Sequence, residues 1–326
     1  MTTKPKATYK TAADVFDGWR EDVLTGTPPT FYPIGSAELA RIEIGPGLVT
    51  LFGGAPGAGK TAFVMQATVD ALRLTPALRA LVCCVEMPPA VLLDRQLARL
   101  SGIDLDTVRY RRFTEEHADR LDGAMNTLGT LADRLAFVRP PFDLDNVAAS
   151  ADAFHADLLV LDYIQRIAPP GQHADKRNAV NATMDYLRQF ADAGVAVLVV
   201  AAVGRTKDSK GRPSYAADVL NLASFRESSE LEFGADDAFI LAPDEKDPEK
   251  VTLRHLKARH TKAQDLVLTF DGACQRFTPA SAGVPWSPDG PTAGNGKLGS
   301  ALAAARDRTP PAADDATDQD QGGESW

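Results

Sequence analysis

Gly54-Ala55-Pro56-Gly57-Ala58-Gly59-Lys60-Thr61 fits the pattern G-x-x-x-x-G-K-[ST], a loop suited to holding phosphate. Its glycines let the backbone curl until the N–H groups point inward at phosphate oxygens. A helix starting there adds the positive end of its dipole. The Lys60 ammonium can reach the β- and γ-phosphates, and the Thr61 hydroxyl can ligate Mg²⁺. Removing the terminal phosphoryl group takes two further acids, one for the metal shell and one to orient water. Two carboxylates stand where apolar runs end. Asp162 closes the run Leu158–Leu161 and is the candidate metal-side acid. Glu86 closes Leu81–Val85, just before Met87-Pro88-Pro89, and is the candidate base. Each also has an ordinary reading, Asp162 as a helix cap and Glu86 as a surface salt-bridge partner. Together these residues imply Mg²⁺-dependent binding and hydrolysis of ATP or GTP.

That chemistry depends on a strand before the loop and a helix after it. Leu48 to Phe52 is apolar and β-prone, and from Ala62 to Leu72 the apolar residues Phe63, Val64, Ala67, Ala71 and Leu72 share a helical side. The same alternation continues. Strands are predicted at Val49–Gly53, Leu81–Glu86, Leu135–Val138, Leu158–Asp162, Val195–Ala201, Ala238–Leu241, Val251–Lys257 and Leu266–Phe270. Helices are predicted at Ala62–Leu74, Ala90–Ser101, Asp106–Tyr110, Thr114–Leu131, Leu144–Phe154, Ala179–Ala193 and Ser228–Phe233. Strands alternating with helices imply an α/β fold, a mostly parallel sheet flanked by helices. The last strands have no helices between them and imply an antiparallel extension. In such sheets ligands bind beyond the carboxyl ends of the strands, where Glu86 and Asp162 would stand.

The ends differ in character. Residues 1–30 read as a polar tail and an amphipathic helix, capped by Thr11 and running to about Leu24, with Val15, Phe16, Trp19 and Val23 on one face. Residues 31–279 form the catalytic domain, and 280–326 are an acidic Pro/Gly/Ala-rich tail expected to be disordered. The net charge of −9 argues against coating nucleic acid by bulk attraction, yet leaves room for a local basic loop. Cys83, Cys84 and Cys274 have neither metal-ligand spacing nor a disulfide framework, which suits a reducing cytoplasm. No apolar run is long enough to span a bilayer, so no membrane partner is expected.

Five segments in order, GAPGAGKT, VEM, LLVLDYIQ, SFRESSELEFGADDAFIL and LRHLKARH, resemble the ATPase domain of DnaB-type replicative helicases. MPPAVLLDRQLARLSGI is similar to that family's helix after the glutamate, and the leading helix is similar to its linker helix. The resemblance covers about Phe31 to Phe277 and implies a RecA-like P-loop fold. It implies phosphate and Mg²⁺ roles for Lys60 and Thr61, a catalytic base in Glu86 and a metal-side acid in Asp162. It also implies that Lys257 and Arg259 act across a subunit boundary on the neighbour's γ-phosphate. A hexameric ring of identical chains around single-stranded DNA follows from the same resemblance, with replication or loader proteins as partners. Strand alternation puts Lys257 and Arg259 on one face, although Arg254, His255 and His260 crowd the same stretch.

Two departures from the family pattern stand out. Ala202 occupies the position where the family has a Gln that senses the γ-phosphate, leaving Arg205 or Thr206 as substitutes. The family's N-terminal helical domain is not expected in the roughly thirty residues ahead of the motor domain. The DNA-binding candidates are Arg205, Lys207, Lys210 and Arg212 in a Gly/Pro-containing loop, and Arg226, Glu227 and Ser229 in the R-E-S segment, where Ser229 replaces the usual Gly. The loop Arg166 to Arg177 is a second basic stretch. Repeated around a ring, modest basic loops gain by multivalency. Without interleaved aromatics they would track the phosphate backbone rather than stack bases. Two other readings stay open: an ATP-switched DNA-binding ring or clamp with little unwinding, and a RecA- or KaiC-like ATPase outside replication.

Overall fold

The computed structural model describes residues 9–171, 176–204, 206–207, 213–214, 220–225, 234–247 and 249–280. The chain divides into two units, Thr30–Trp286 and a second made of Met1–Pro29 with Ser287–Trp326. In the second unit, helix α1 runs from Ala13 to Thr25 and ends at Gly26, whose φ of 71° is left-handed. The Asp14 N–H donates to Thr11 Oγ1 at 3.2 Å, and the Asp14 carboxylate accepts the Thr11 N–H at 2.7 Å. This reciprocal cap starts the helix. None of its residues is buried, and Phe16 and Trp19 lie 51% and 59% exposed.

The larger unit follows in chain order as β1 (Val49–Gly54), α2 (Lys60–Leu74), β2 (Ala80–Cys84), α3 (Pro89–Ser101), α4 (Leu105–Arg109), α5 (Ala118–Leu131), β3 (Leu135–Phe137), α6 (Leu144–Phe154) and β4 (Leu158–Asp162). After these come α7 (Lys176–Asp192), β5 (Ala196–Ala202), β6 (Thr206–Lys207), β7 (Pro213–Ser214), β8 (Asp237–Pro243), β9 (Lys250–Ala258), β10 (Leu266–Asp271) and β11 (Arg276–Pro279). Nine strands make one sheet in the order β11-β10-β9-β8-β1-β5-β4-β2-β3, and β6 pairs with β7 apart from it. From β8 to β3 every pairing is parallel; β8 through β11 pair antiparallel. This is the expected mixed α/β architecture with its antiparallel extension.

Both faces of the parallel strands are covered, and the period of two sorts side chains between them. Leu158, Val160, Leu198 and Val200 join a core with Phe63, Val69 and Leu72 of α2. Leu159, Leu161, Val197 and Val199 join another with Val147 of α6 and Leu187 of α7. Strands buried on both sides must be apolar throughout, which is why β4 and β5 read as unbroken hydrophobic runs.

Several boundaries differ from expectation. β2 ends at Cys84 rather than at Glu86: the Val85 N–H still bonds the Asp162 carbonyl, but the ladder stops before Pro88 and Pro89, which lack N–H donors. The predicted helix Thr114–Leu131 is a 3-10 turn at Glu115–His117 followed by α5. β11 was not predicted; it is only four residues long and takes its place by pairing with β10. The predicted helix Ser228–Phe233 and the tail from 281 lie outside the described residues. Among the described residues, no helix is long and apolar enough to cross a membrane.

Candidate nucleotide site

Because β1, β4, β2 and β5 run parallel, their carboxyl ends meet at one edge of the sheet. The phosphate loop leaves β1 there and leads directly into α2 at Lys60. Gly57 and Gly59 have φ values of 80° and 85°, so both adopt the left-handed conformation that other residues avoid. At Gly59 a Cβ would also lie 2.8 Å from the Phe277 ring of β11, which excludes a side chain twice over. The Lys60 ammonium donates to the carbonyls of Gly54 and Ala55 at 3.0 and 2.9 Å, curled over the loop itself. Burial lowers its pKa, and the charges of Asp162 and Glu86 oppose that shift.

The sequence-predicted residues converge. Thr61 Oγ1 donates to Asp162 Oδ2 at 2.6 Å, joining the start of α2 to the end of β4. Asp162 is buried, and burial pushes its carboxyl pKa upward, with the charge of Glu86 adding to the shift. The Thr61 hydrogen bond and the Lys60 charge pull the other way. Glu86 is exposed just beyond β2. Lys60, Thr61, Glu86 and Asp162 all line one cavity of about 510 Å³. A hydroxyl and a carboxylate are hard oxygen donors, so Thr61 and Asp162 fit Mg²⁺, and the loop fits polyphosphate.

Three further contributors escaped the sequence reading. Arg95 of α3 lines the cavity, and its Nε is buried without a hydrogen-bond partner. Its signal was a cation on the inward stripe of the helix leaving Glu86, beside the buried Leu92, Gln96 and Arg99. Phe270 and Gln275 also line it, brought from the β10–β11 hairpin nearly two hundred positions downstream. Nothing local marked them.

The family model for the DnaB-like helicase C terminal domain matches residues 44–279. The chain belongs to this family. Two solved structures share its fold. One, an ATPase domain solved by itself, superposes with a TM-score of 0.72 at 18% identity, covering 83% of this chain and 99% of that one. A DnaB-like replicative helicase, solved in a study of its interactions with primase, gives 0.70 at 18%, covering 81% of this chain and 66% of that one.

In this DnaB-like domain Lys257 and Arg259 do not line the nucleotide cavity. They meet instead at the turn entering β8, where Lys257 Nζ donates to the Ala235 carbonyl at 2.7 Å and Arg259 Nη1 reaches Asp236 Oδ1 at 2.6 Å. β9 ends at Ala258, so Arg259 follows the strand instead of closing it. Neighbouring charges are engaged separately: Arg254 donates to the Leu220 carbonyl, and His255 Nε2 meets Asp237 Oδ1 at 2.9 Å. Ala202 ends β5 and lines the cavity with a methyl group. Its backbone is held by the Gln165 amide, whose Oε1 accepts the Ala202 N–H at 3.1 Å. Of the DNA candidates, Arg205, Lys210, Arg212, Arg226, Glu227 and Ser229 lie outside the described residues. Lys207 is described only as backbone in β6, and so is Thr206.

Proposed function

We propose that this chain is an ATP-driven DNA helicase or translocase motor whose sites are completed at subunit interfaces of a hexameric ring around single-stranded DNA. The observation that carries the reading is the separation of two half-sites. Lys60, Thr61, Asp162 and Glu86 share a strand-end cavity, while Lys257 and Arg259 stand together outside it. A cation pair that does not enter its own pocket is suited to serve another.

In this mechanism the loop N–H groups and Lys60 bind the β- and γ-phosphates. Thr61 and Asp162 would hold Mg²⁺, which supplies charge neutralisation between those phosphates. Glu86 orients the attacking water and takes its proton. Arg259 of one subunit stabilises charge spreading over the γ-phosphoryl oxygens bound by the next, an effect worth roughly 10³–10⁵ in rate for such arginines. The basic residues Arg205, Lys207, Lys210 and Arg212, with the Arg226–Ser229 segment, would contact the DNA backbone.

ATP hydrolysis by the purified protein, with and without single-stranded DNA, tests the reading. Several-fold stimulation by DNA is expected, with Lys60→Ala and Arg259→Ala both inactive and Arg259→Ala still binding nucleotide. Full turnover by Arg259→Ala, or by a strictly monomeric protein, overturns it. Ala202 favours a second reading, an ATP-switched DNA-binding ring or clamp, because its methyl group offers no donor to a γ-phosphate. Strand displacement on a forked substrate separates motor from clamp.

A further inference from the structure

Asp236 lies at the entrance to β8 with its side chain 2% exposed, and it collects an unusual set of partners. Its Oδ1 meets Arg259 Nη1 at 2.6 Å, and its Oδ2 meets Arg188 Nη1 of α7 at 2.6 Å. The same Oδ2 accepts the backbone N–H of Val49 at 2.8 Å. The backbone on either side is fixed as well: Asp236 N–H donates to the Val49 carbonyl at 2.8 Å, and its own carbonyl accepts the Arg259 N–H at 3.0 Å. One position before it, the Ala235 carbonyl holds the Lys257 ammonium. Asp237, one position after, is occupied by His255. Three cations therefore gather about one buried carboxylate, and that carboxylate is tied to β1, the strand that leads into the phosphate loop.

We infer that Asp236 is a positioning residue for Arg259. It grips one end of the guanidinium, while the Arg259 side chain as a whole stays 41% exposed. An arginine has many rotamers, and fixing it before its target arrives removes an entropic cost from the step that uses it. Charge stabilisation in a transition state depends on such preorganisation. A buried carboxylate is a good fixed point because its removal from water is compensated by paired charges and hydrogen bonds. Lys257, held by the neighbouring carbonyl, is presented from the same turn. Arg188 has the structural half of the arrangement: it shares the carboxylate but sits on α7, where it also approaches Asp192 at 3.7 Å.

This inference rests on the proposed role of Arg259 at a neighbour's nucleotide, and the test separates the two. Steady-state ATPase kinetics, nucleotide binding and thermal melting are measured on the full chain for Asp236→Asn, Asp236→Glu, Arg188→Gln and Arg259→Ala. Neither Asp236 nor Arg259 lines the nucleotide cavity, so Asp236→Asn should leave KM within about twofold of wild type. Its kcat should fall about 10- to 100-fold, the penalty of a misplaced catalytic group. Arg188→Gln should lower the melting temperature but keep kcat. Should Asn at 236 prevent folding, Asp236→Glu keeps the charge, displaces it by one methylene, and should show the same fall in kcat. Wild-type or raised kcat in the folded 236 variants, or an equal loss in Arg188→Gln, overturns the positioning role. Wild-type turnover by Arg259→Ala overturns the shared-site reading itself, and that outcome is distinct from an active 236 variant beside an inactive Arg259→Ala.

Discussion

Arg95 shows how a single side chain can be set for a ligand. It stands on α3 at the wall of the nucleotide cavity, with a buried Nε that has no hydrogen-bond partner. Burial weighs against its charge, and Asp162 supplies the main offset. A phosphate oxygen would provide a second. A hydrogen bond to a charged group contributes about 1.5–3 kcal/mol, so Arg95→Ala should weaken nucleotide binding by about tenfold or more. Equilibrium titration with a fluorescent ATP analogue checks this. Affinity equal to wild type would remove Arg95 from the site. The loop, Lys60, Thr61, Asp162 and Glu86 were legible without the fold, because their chemistry is written in type and spacing. Arg95 was not, since a lone arginine on an amphipathic helix looks like any solvated charge until the inward stripe is known.

At the scale of elements, the β10–β11 hairpin is joined to α2 by one amide. Gln66, buried in α2, donates Nε2–H to the Phe277 carbonyl and accepts the Phe277 N–H, both at 2.8 Å. Phe277 in turn stacks on Phe270 at 4.3 Å and meets Phe63 edge-on at 5.3 Å. Gln66→Leu would leave a buried N–H and C=O unpaired, at a cost of about 2–4 kcal/mol. Urea denaturation should show a lower midpoint of that size, and because Phe270 and Gln275 line the cavity, nucleotide affinity should fall with it. An unchanged midpoint would show that water replaces the amide. β4 and β5 were predictable because strands covered on both faces are apolar throughout. β11 is short and held by a residue some two hundred positions away, so no local pattern announced it.

For the whole molecule, the separation of the two half-sites predicts a dependence on assembly. Where one subunit's Arg259 serves another's nucleotide, specific ATPase activity should fall on dilution as the oligomer dissociates, while nucleotide binding per chain is kept. Activity assayed across a dilution series beside sedimentation velocity checks this, and constant specific activity in a monomeric range would contradict it. Raised salt should also weaken stimulation by DNA steeply, because contacts to phosphate are made by displacing counterions.

Local chemistry and periodicity were enough to determine the phosphate loop, its metal-side acid, the base beyond the second strand and the α/β class, since each depends on neighbours within a few residues or on one repeating period. The tertiary structure decided what those residues meet. Parallel pairing brought Thr61 and Asp162, one hundred and one positions apart, to 2.6 Å. It also set the hairpin aromatics against Gly59 and placed Asp236 between Arg188 and Arg259. Contacts of that kind come from strand order and crossover, and a sequence read along one dimension carries their ingredients without their adjacency.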